Sequence, residues 1–171
     1  VDRSLRRRTA AMLLGLGLIA WAFLYQRGHL NKFLVLDVGA HDRWLMWQAA
    51  LGMIRDRPWL GHGVNTFMAN YLRYRVGGEP QPRYAHNCYL QVTAETGVLG
   101  LAAFLWLLGA IGWRLARGLQ QAAGAERTLL LGLAAGLAAF VAQAAIDTNF
   151  YALRQAALFW SLAGLALGLS E

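Results

Sequence analysis

An all-α fold, a polytopic bundle of transmembrane helices with one large outer loop carrying amphipathic helices, is what this sequence predicts. Three observations lead there. Of 171 residues, 57% are hydrophobic and only 15% charged, against roughly a quarter charged in an ordinary soluble domain. The mean hydropathy is +0.36. Charges are almost absent from four long apolar runs, the distribution of an integral membrane protein.

The first run spans residues 10–25 (Ala10 to Tyr25), the second 97–113 (Gly97 to Trp113), the third 128–146 (Thr128 to Ile146) and the fourth 152–169 (Ala152 to Leu169). Each falls slightly short of the roughly 20 residues that cross a bilayer. Flanking residues and snorkelling arginines supply the remainder. Arg3, Arg6, Arg7 and Arg8 precede the first run, and Arg114, Arg117 and Arg127 stand in the connection 114–127. Basic residues near spans mark the cytoplasmic side. That places the loop 26–96 and the turn 147–151 on the outer side, with Trp21, Tyr25, Phe150 and Tyr151 at the outer boundary, where aromatic belts form. Val1-Asp2-Arg3 opens on a basic cluster, with no initiator Met and no signal-peptide order of regions. The chain therefore reads as the C-terminal part of a longer protein.

The outer loop has the composition of ordered structure. Asp42 is placed to cap a helix through about Arg55, with Trp44, Trp47, Leu51 and Ile54 on one stripe at helical spacing. Pro58, Gly61 and Gly63 break it, and Asn65 is placed to cap a second helix carrying Phe67, Met68, Tyr71 and Leu72. Gly77-Gly78-Glu79-Pro80-Gln81-Pro82 is a turning connector. Helix resumes near Asn87 and runs into the second span. The amphipathic loop helices suit the membrane–water interface. In the later spans, Gly132-Leu133-Ala134-Ala135-Gly136 and Gly164-Leu165-Ala166-Leu167-Gly168 are small-xxx-small patterns, read as close helix packing.

The net charge of +7 rests on sixteen basic residues, of which only Lys32 is lysine. A pI near 10.3 points to nucleic acid in a soluble protein, but here the excess sits beside apolar runs and nucleic acid is not implied. Cys88 is the single cysteine, so an internal disulfide is excluded, and a small apolar role suits it better than a nucleophilic one. His29, His41 and His62 have no zinc spacing with His86. No P-loop, GxGxxG or metal-ligand run occurs, and no metal or cofactor is expected.

His86, at the mouth of the second span, is the candidate general base, because imidazole exchanges protons near neutral pH. The ordinary alternative is an interfacial histidine bonded to a helix start. On a continuous helix His86, Leu90, Thr93, Gly97 and Gly100 would share one face. Arg43 is a candidate phosphate clamp, since guanidinium binds phosphate oxygens bidentately, or else a solvated charge. Arg73, Arg75 and Arg83 form a second basic group, for anionic headgroups or the same phosphates. Glu95 fits a structural ion pair with an arginine, and Asp147 and Arg154 fit mutual neutralisation.

The ordered set Arg43-Trp44, Ala49, Met53-Ile54, Pro58-Trp59-Leu60-Gly61-His62-Gly63, Phe67, Tyr71, Ala85-His86-Asn87-Cys88-Tyr89-Leu90 and Glu95-Thr96-Gly97-Val98-Leu99-Gly100 resembles the O-antigen ligase, or Wzy C-terminal, family. The resemblance covers about Arg43 to Leu101. It implies a multi-pass glycosyltransferase of the bacterial inner membrane with its active site facing the periplasm. The implied donor is a glycan on undecaprenyl diphosphate, and the acceptor lipid A-core or another glycan or protein. By resemblance His86 is the catalytic histidine and Arg43 the loop arginine, with Arg73, Arg75 and Arg83 as further diphosphate contacts and Asn87, Tyr89 and Glu95 in support. A metal-independent, inverting displacement follows from those roles. A Wzy-type O-antigen polymerase and a protein O-oligosaccharyltransferase share the resemblance. A transporter is the rival from another class, but it predicts polar or broken helices near mid-membrane, whereas the polar and aromatic residues here concentrate in the outer loop.

Overall fold

The computed structural model describes residues 38–77 and 83–170. The predicted first span, the basic cluster before it, Trp21, Tyr25, His29, Lys32 and connector residues 78–82 lie outside these. The chain divides into units between His41 and Asp42, and the packing described below is that of the second unit. Among the described residues every regular element is a helix: α1 Val38–Asp56, α2 Phe67–Tyr74, α3 Cys88–Gln121, α4 Gly124–Gln143 and α5 Leu153–Leu169. Both α3 and α4 are long and apolar enough to cross a membrane, and α5 is a shorter apolar helix. At a rise of ~1.5 Å per residue, the 34 residues of α3 exceed the roughly 30 Å hydrocarbon core. α3 joins the end of the sequence-defined loop to the second apolar run across a break at Gly97.

Asp42 lies inside α1 and does not cap it. Of the expected stripe Ile54 packs against the core and Trp47 is half-buried, but the stripe is not the buried face. The buried face is Met46, Ala49, Ala50 and Met53, packed with Phe67 and Tyr71 of α2 and Ala94 of α3, while Trp44 and Leu51 are exposed. The cause is steric: two alanines let neighbouring elements approach closely, and interior packing rewards fit as well as hydropathy.

Between α1 and α2 lies the segment Pro58–Gly63, and it does more than break a helix. Gly97 interrupts α3 with φ 71° and ψ −176°, a conformation essentially restricted to glycine. Helical pairing fails there, and the loop takes its place. The Val98 amide donates to the Pro58 carbonyl (2.8 Å), the His62 amide to the Ala94 carbonyl (3.0 Å) and the Gly63 amide to the Glu95 carbonyl (2.8 Å). Backbone groups that a helix break would orphan are therefore satisfied. The fit tolerates no side chain: a Cβ on Gly61 would overlap the Glu95 carbonyl, and one on Gly97 the Trp59 carbonyl. The break also removes the continuous helical face expected from His86 to Gly100.

The C-terminal helices pack through large residues. Leu115 of α3, Leu137 of α4 and Phe159, Ala163 and Ala166 of α5 form one apolar cluster. Phe150 in the α4–α5 turn stacks edge-on against Phe104, Phe140 and Phe159, at centroid distances of 5.1, 5.0 and 4.9 Å. Phe150 and Tyr151, expected in an outer aromatic belt, thus turn inward. The small-xxx-small glycines do not mediate this packing. A Cβ on Gly132, Gly136, Gly164 or Gly168 would meet nothing within 4 Å. The close approach falls instead at Gly118, against Ser170.

Candidate active site

His86 stands just ahead of α3 with a left-handed backbone, φ 50°, tolerated by histidine more than by most residues. Its neighbours hold it there. The Ala85 amide donates to Oε1 of Gln91 (2.9 Å). Asn87 is the N-cap of α3, its side-chain oxygen accepting from the Leu90 amide (3.0 Å). The Cys88 amide donates to the carbonyls of Ala144 (2.8 Å) and Asp147 (3.2 Å). That last contact brings the α4–α5 turn against the start of α3.

The result is a histidine–carboxylate pair. Nδ1 of His86 lies 3.5 Å from Oδ1 of Asp147, with the two side chains 39% and 40% exposed. Nδ1 itself is shielded from solvent and has no hydrogen-bond partner, so the Asp147 carboxylate is the charged group it faces. Asp147 is in turn oriented by the Thr148 amide, which donates to Oδ1 at 2.7 Å. The expected neutralisation of Asp147 by Arg154 is replaced by this pairing. With one ring nitrogen turned to a carboxylate, the other is available to a reacting hydroxyl.

Glu95 is 1% exposed and is not in the arginine ion pair expected for it. Its carboxylate accepts from four donors: the amides of Asn65 (2.9 Å) and Phe67 (3.3 Å), Nε2 of Gln91 (3.2 Å) and the hydroxyl of Tyr151 (3.1 Å). The first two bonds explain why Asn65 is not the cap of α2. Thr66 occupies that position without a side-chain capping bond, and Glu95 reaches across to cap the helix from outside, where its charge favours a helix N-terminus. The Tyr151 phenol is held well above its ordinary value, first by burial and then by the Glu95 charge beside it, so it remains a donor. Glu95 thereby ties together α2, α3 and the turn that carries Asp147.

Tyr89 makes a structural tie: its hydroxyl donates to the Val141 carbonyl (2.6 Å) and its ring lies beside Phe104. Cys88 is fully buried, with its thiol 3.4 Å from Oδ1 of Asn149, as suits a packing residue. His62 directs Nε2 to the Met53 carbonyl at 3.1 Å; a carbonyl only accepts, so that nitrogen carries the proton. Among the described residues no group of three or more His, Cys, Asp or Glu is placed to hold a metal ion.

The four arginines separate. Arg83 is exposed and lies over the Tyr84 ring, 5.8 Å from its centroid, and Tyr84 packs beside Tyr151. Arg83 is thus linked through Tyr84 to the turn that carries Tyr151. Arg43 is exposed on α1, while Arg73 and Arg75 are exposed at the end of α2. Among the described residues no hydrogen bond, ion pair or ring contact joins these three to His86. Sequence reasoning missed Gln91, Asp147 and Tyr151 as parts of the site. Only the polar character of Gln91 so close to an apolar run pointed that way.

The model of the O-antigen ligase family (Wzy_C) matches residues 3–105. The chain belongs to the O-antigen ligase family. Among curated proteins it is similar to one named as a polysaccharide ligase from Rickettsia prowazekii (strain Madrid E), 37% identical over 87 residues, or 46% of this chain and 21% of the relative. A protein of Rickettsia typhi (strain ATCC VR-144 / Wilmington), also named as a polysaccharide ligase, is 36% identical over 87 residues, with the same shares covered. One of Rickettsia felis is 33% identical over 90 residues, again 46% of this chain and 21% of the relative. The chain thus matches about a fifth of the length of these relatives. No solved structure matches it. Family membership and the two long apolar helices together indicate association with a membrane. In this O-antigen ligase-family chain, the family's match extends through the break at Gly97 and includes His86, but stops before Asp147.

Proposed function

We propose that the protein is a glycosyltransferase of the bacterial inner membrane that moves a glycan from undecaprenyl diphosphate to a hydroxyl of lipid A-core. His86 facing Asp147 is the observation that carries this reading. His86 takes the proton from the acceptor hydroxyl through Nε2 while Asp147 fixes the ring and shares the charge it gains. The acceptor oxygen forms a bond to the anomeric carbon as the bond from that carbon to the diphosphate oxygen breaks. The leaving diphosphate departs with the electron pair, and its developing charge is held by arginines. Arg43 is the arginine assigned this role, with Arg73, Arg75 and Arg83 as further contacts. A single displacement inverts the anomeric configuration, with arginine rather than a metal ion as the electrophilic partner. The spans run 97–113, 128–146 and 152–169, with the loop and the 147–151 turn in the periplasm.

The test uses full-length protein in ligase-deficient cells that still make the lipid-linked glycan. Wild type is expected to restore glycan-bearing lipopolysaccharide on a gel. His86→Ala and Arg43→Ala, matched for membrane abundance, are expected to lose roughly 10²-fold or more of it. Transfer by His86→Ala at the wild-type level would refute the mechanism.

A further inference from the structure

Trp59 and Leu60 are 66% and 75% exposed, although they occupy the loop most tightly joined to α3. That loop is fixed by backbone bonds at Ala94, Glu95 and Val98, so its position along α3 is set by the fold. It sits where α3 becomes apolar: Val98 and Leu99 are exposed immediately after the break, followed by Leu105 and Trp106. On the other flank, Arg55 and Arg57 are exposed. Exposed cations, then an indole and a leucine, then an apolar helix surface reproduce the order of a bilayer from headgroup to acyl chain.

We propose that the Trp59–Leu60 tip is a lipid-binding wedge seated at the headgroup–acyl boundary of the leaflet beside the active site. Arg55 and Arg57 meet anionic headgroups, and the helix break transmits the wedge's depth to His62, Gly63 and the Glu95-capped α2. The height of the active-site loop above the bilayer is then set by lipid contact. Continuity with the apolar surface of α3 favours lipid over a protein partner as what covers the tip. The inference rests on the membrane placement proposed above.

The test uses full-length protein in vesicles of phosphatidylethanolamine and phosphatidylglycerol brominated either high on the acyl chain or near its end. One variant keeps Trp59 alone among the tryptophans and another keeps Trp106 alone. Trp59 is expected to be quenched at least about twofold more by the high bromines, as an interfacial indole should be. A Leu60→Cys variant retains all tryptophans. Labelled with nitrobenzoxadiazole (Cys88 being buried), it is expected to be quenched by lipid spin-labelled high on the chain. Flotation of the vesicles scores membrane placement separately. Should the protein float and Trp106 be quenched while Trp59 and labelled Leu60→Cys are untouched by lipid quenchers, the wedge is overturned and membrane placement stands. Stronger quenching of Trp59 by chain-end bromines would overturn the stated depth. Failure to float would overturn the membrane placement and the wedge with it.

Discussion

At the residue scale, the chemistry turns on what Asp147 does for His86. Asparagine at that position keeps the size and the bond from the Thr148 amide but removes the charge facing Nδ1. Asp147→Asn is expected to lower the rate of glycan transfer at least about tenfold, with little change in KM for the acceptor and an altered pH–rate profile. Initial rates across pH with purified full-length protein would check this, and an unchanged profile would assign Asp147 to structure alone. His86 was legible in the sequence because it stands alone at the entrance to an apolar run. Its partner was not, because Asp147 lies 61 positions later and reaches it only through the return of the α4–α5 turn. Glu95 shows the same limit: its polarity was visible, but its four donors come from three segments.

At the element scale, the pairing of Pro58–Gly63 with the break at Gly97 governs how the loop is built. Glycine is required twice, once for φ and once for clearance. Gly97→Ala is expected to destabilise the fold by about 3 kcal/mol or more, combining backbone strain with overlap on the Trp59 carbonyl. By contrast, Gly132→Ala, in a helix interior with open space beside it, is expected to be neutral or to stabilise by up to about 1 kcal/mol. Thermal unfolding in detergent would compare the two, and equal effects would contradict the account. Sequence spacing located the loop break correctly but gave its glycines a local reason. The Glu95 carbonyl, which accepts from the Gly63 amide and lies against Gly61, is more than thirty positions away, and no periodicity carries that information. Trp44 and Leu51 of the expected α1 stripe stay exposed for a related reason, since helical spacing marks bulky apolar side chains and not the alanines that permit close approach.

At the scale of the whole molecule, helix positions were largely legible because apolar runs bounded by arginines leave little freedom. The end-on contact of Gly118 with Ser170, and the open space around the small-xxx-small glycines, depend on relative helix rotation and were not. The proposed orientation predicts a labelling pattern. In intact cells an impermeant maleimide is expected to modify Val76→Cys, and to modify Gln120→Cys only after permeabilisation. Both positions are exposed and the native Cys88 is buried; the reverse pattern would invert the topology. The break at Gly97 also bears on biogenesis. A helix whose hydrogen bonds around one break are supplied by another segment is not completed by its own residues alone. During synthesis the Pro58–Gly63 strip emerges first and waits for residues 94–98 to arrive. Completion of α3 and docking of the loop are therefore coupled, and the pairing of His86 with Asp147 requires the α4–α5 turn to be folded back onto the start of α3.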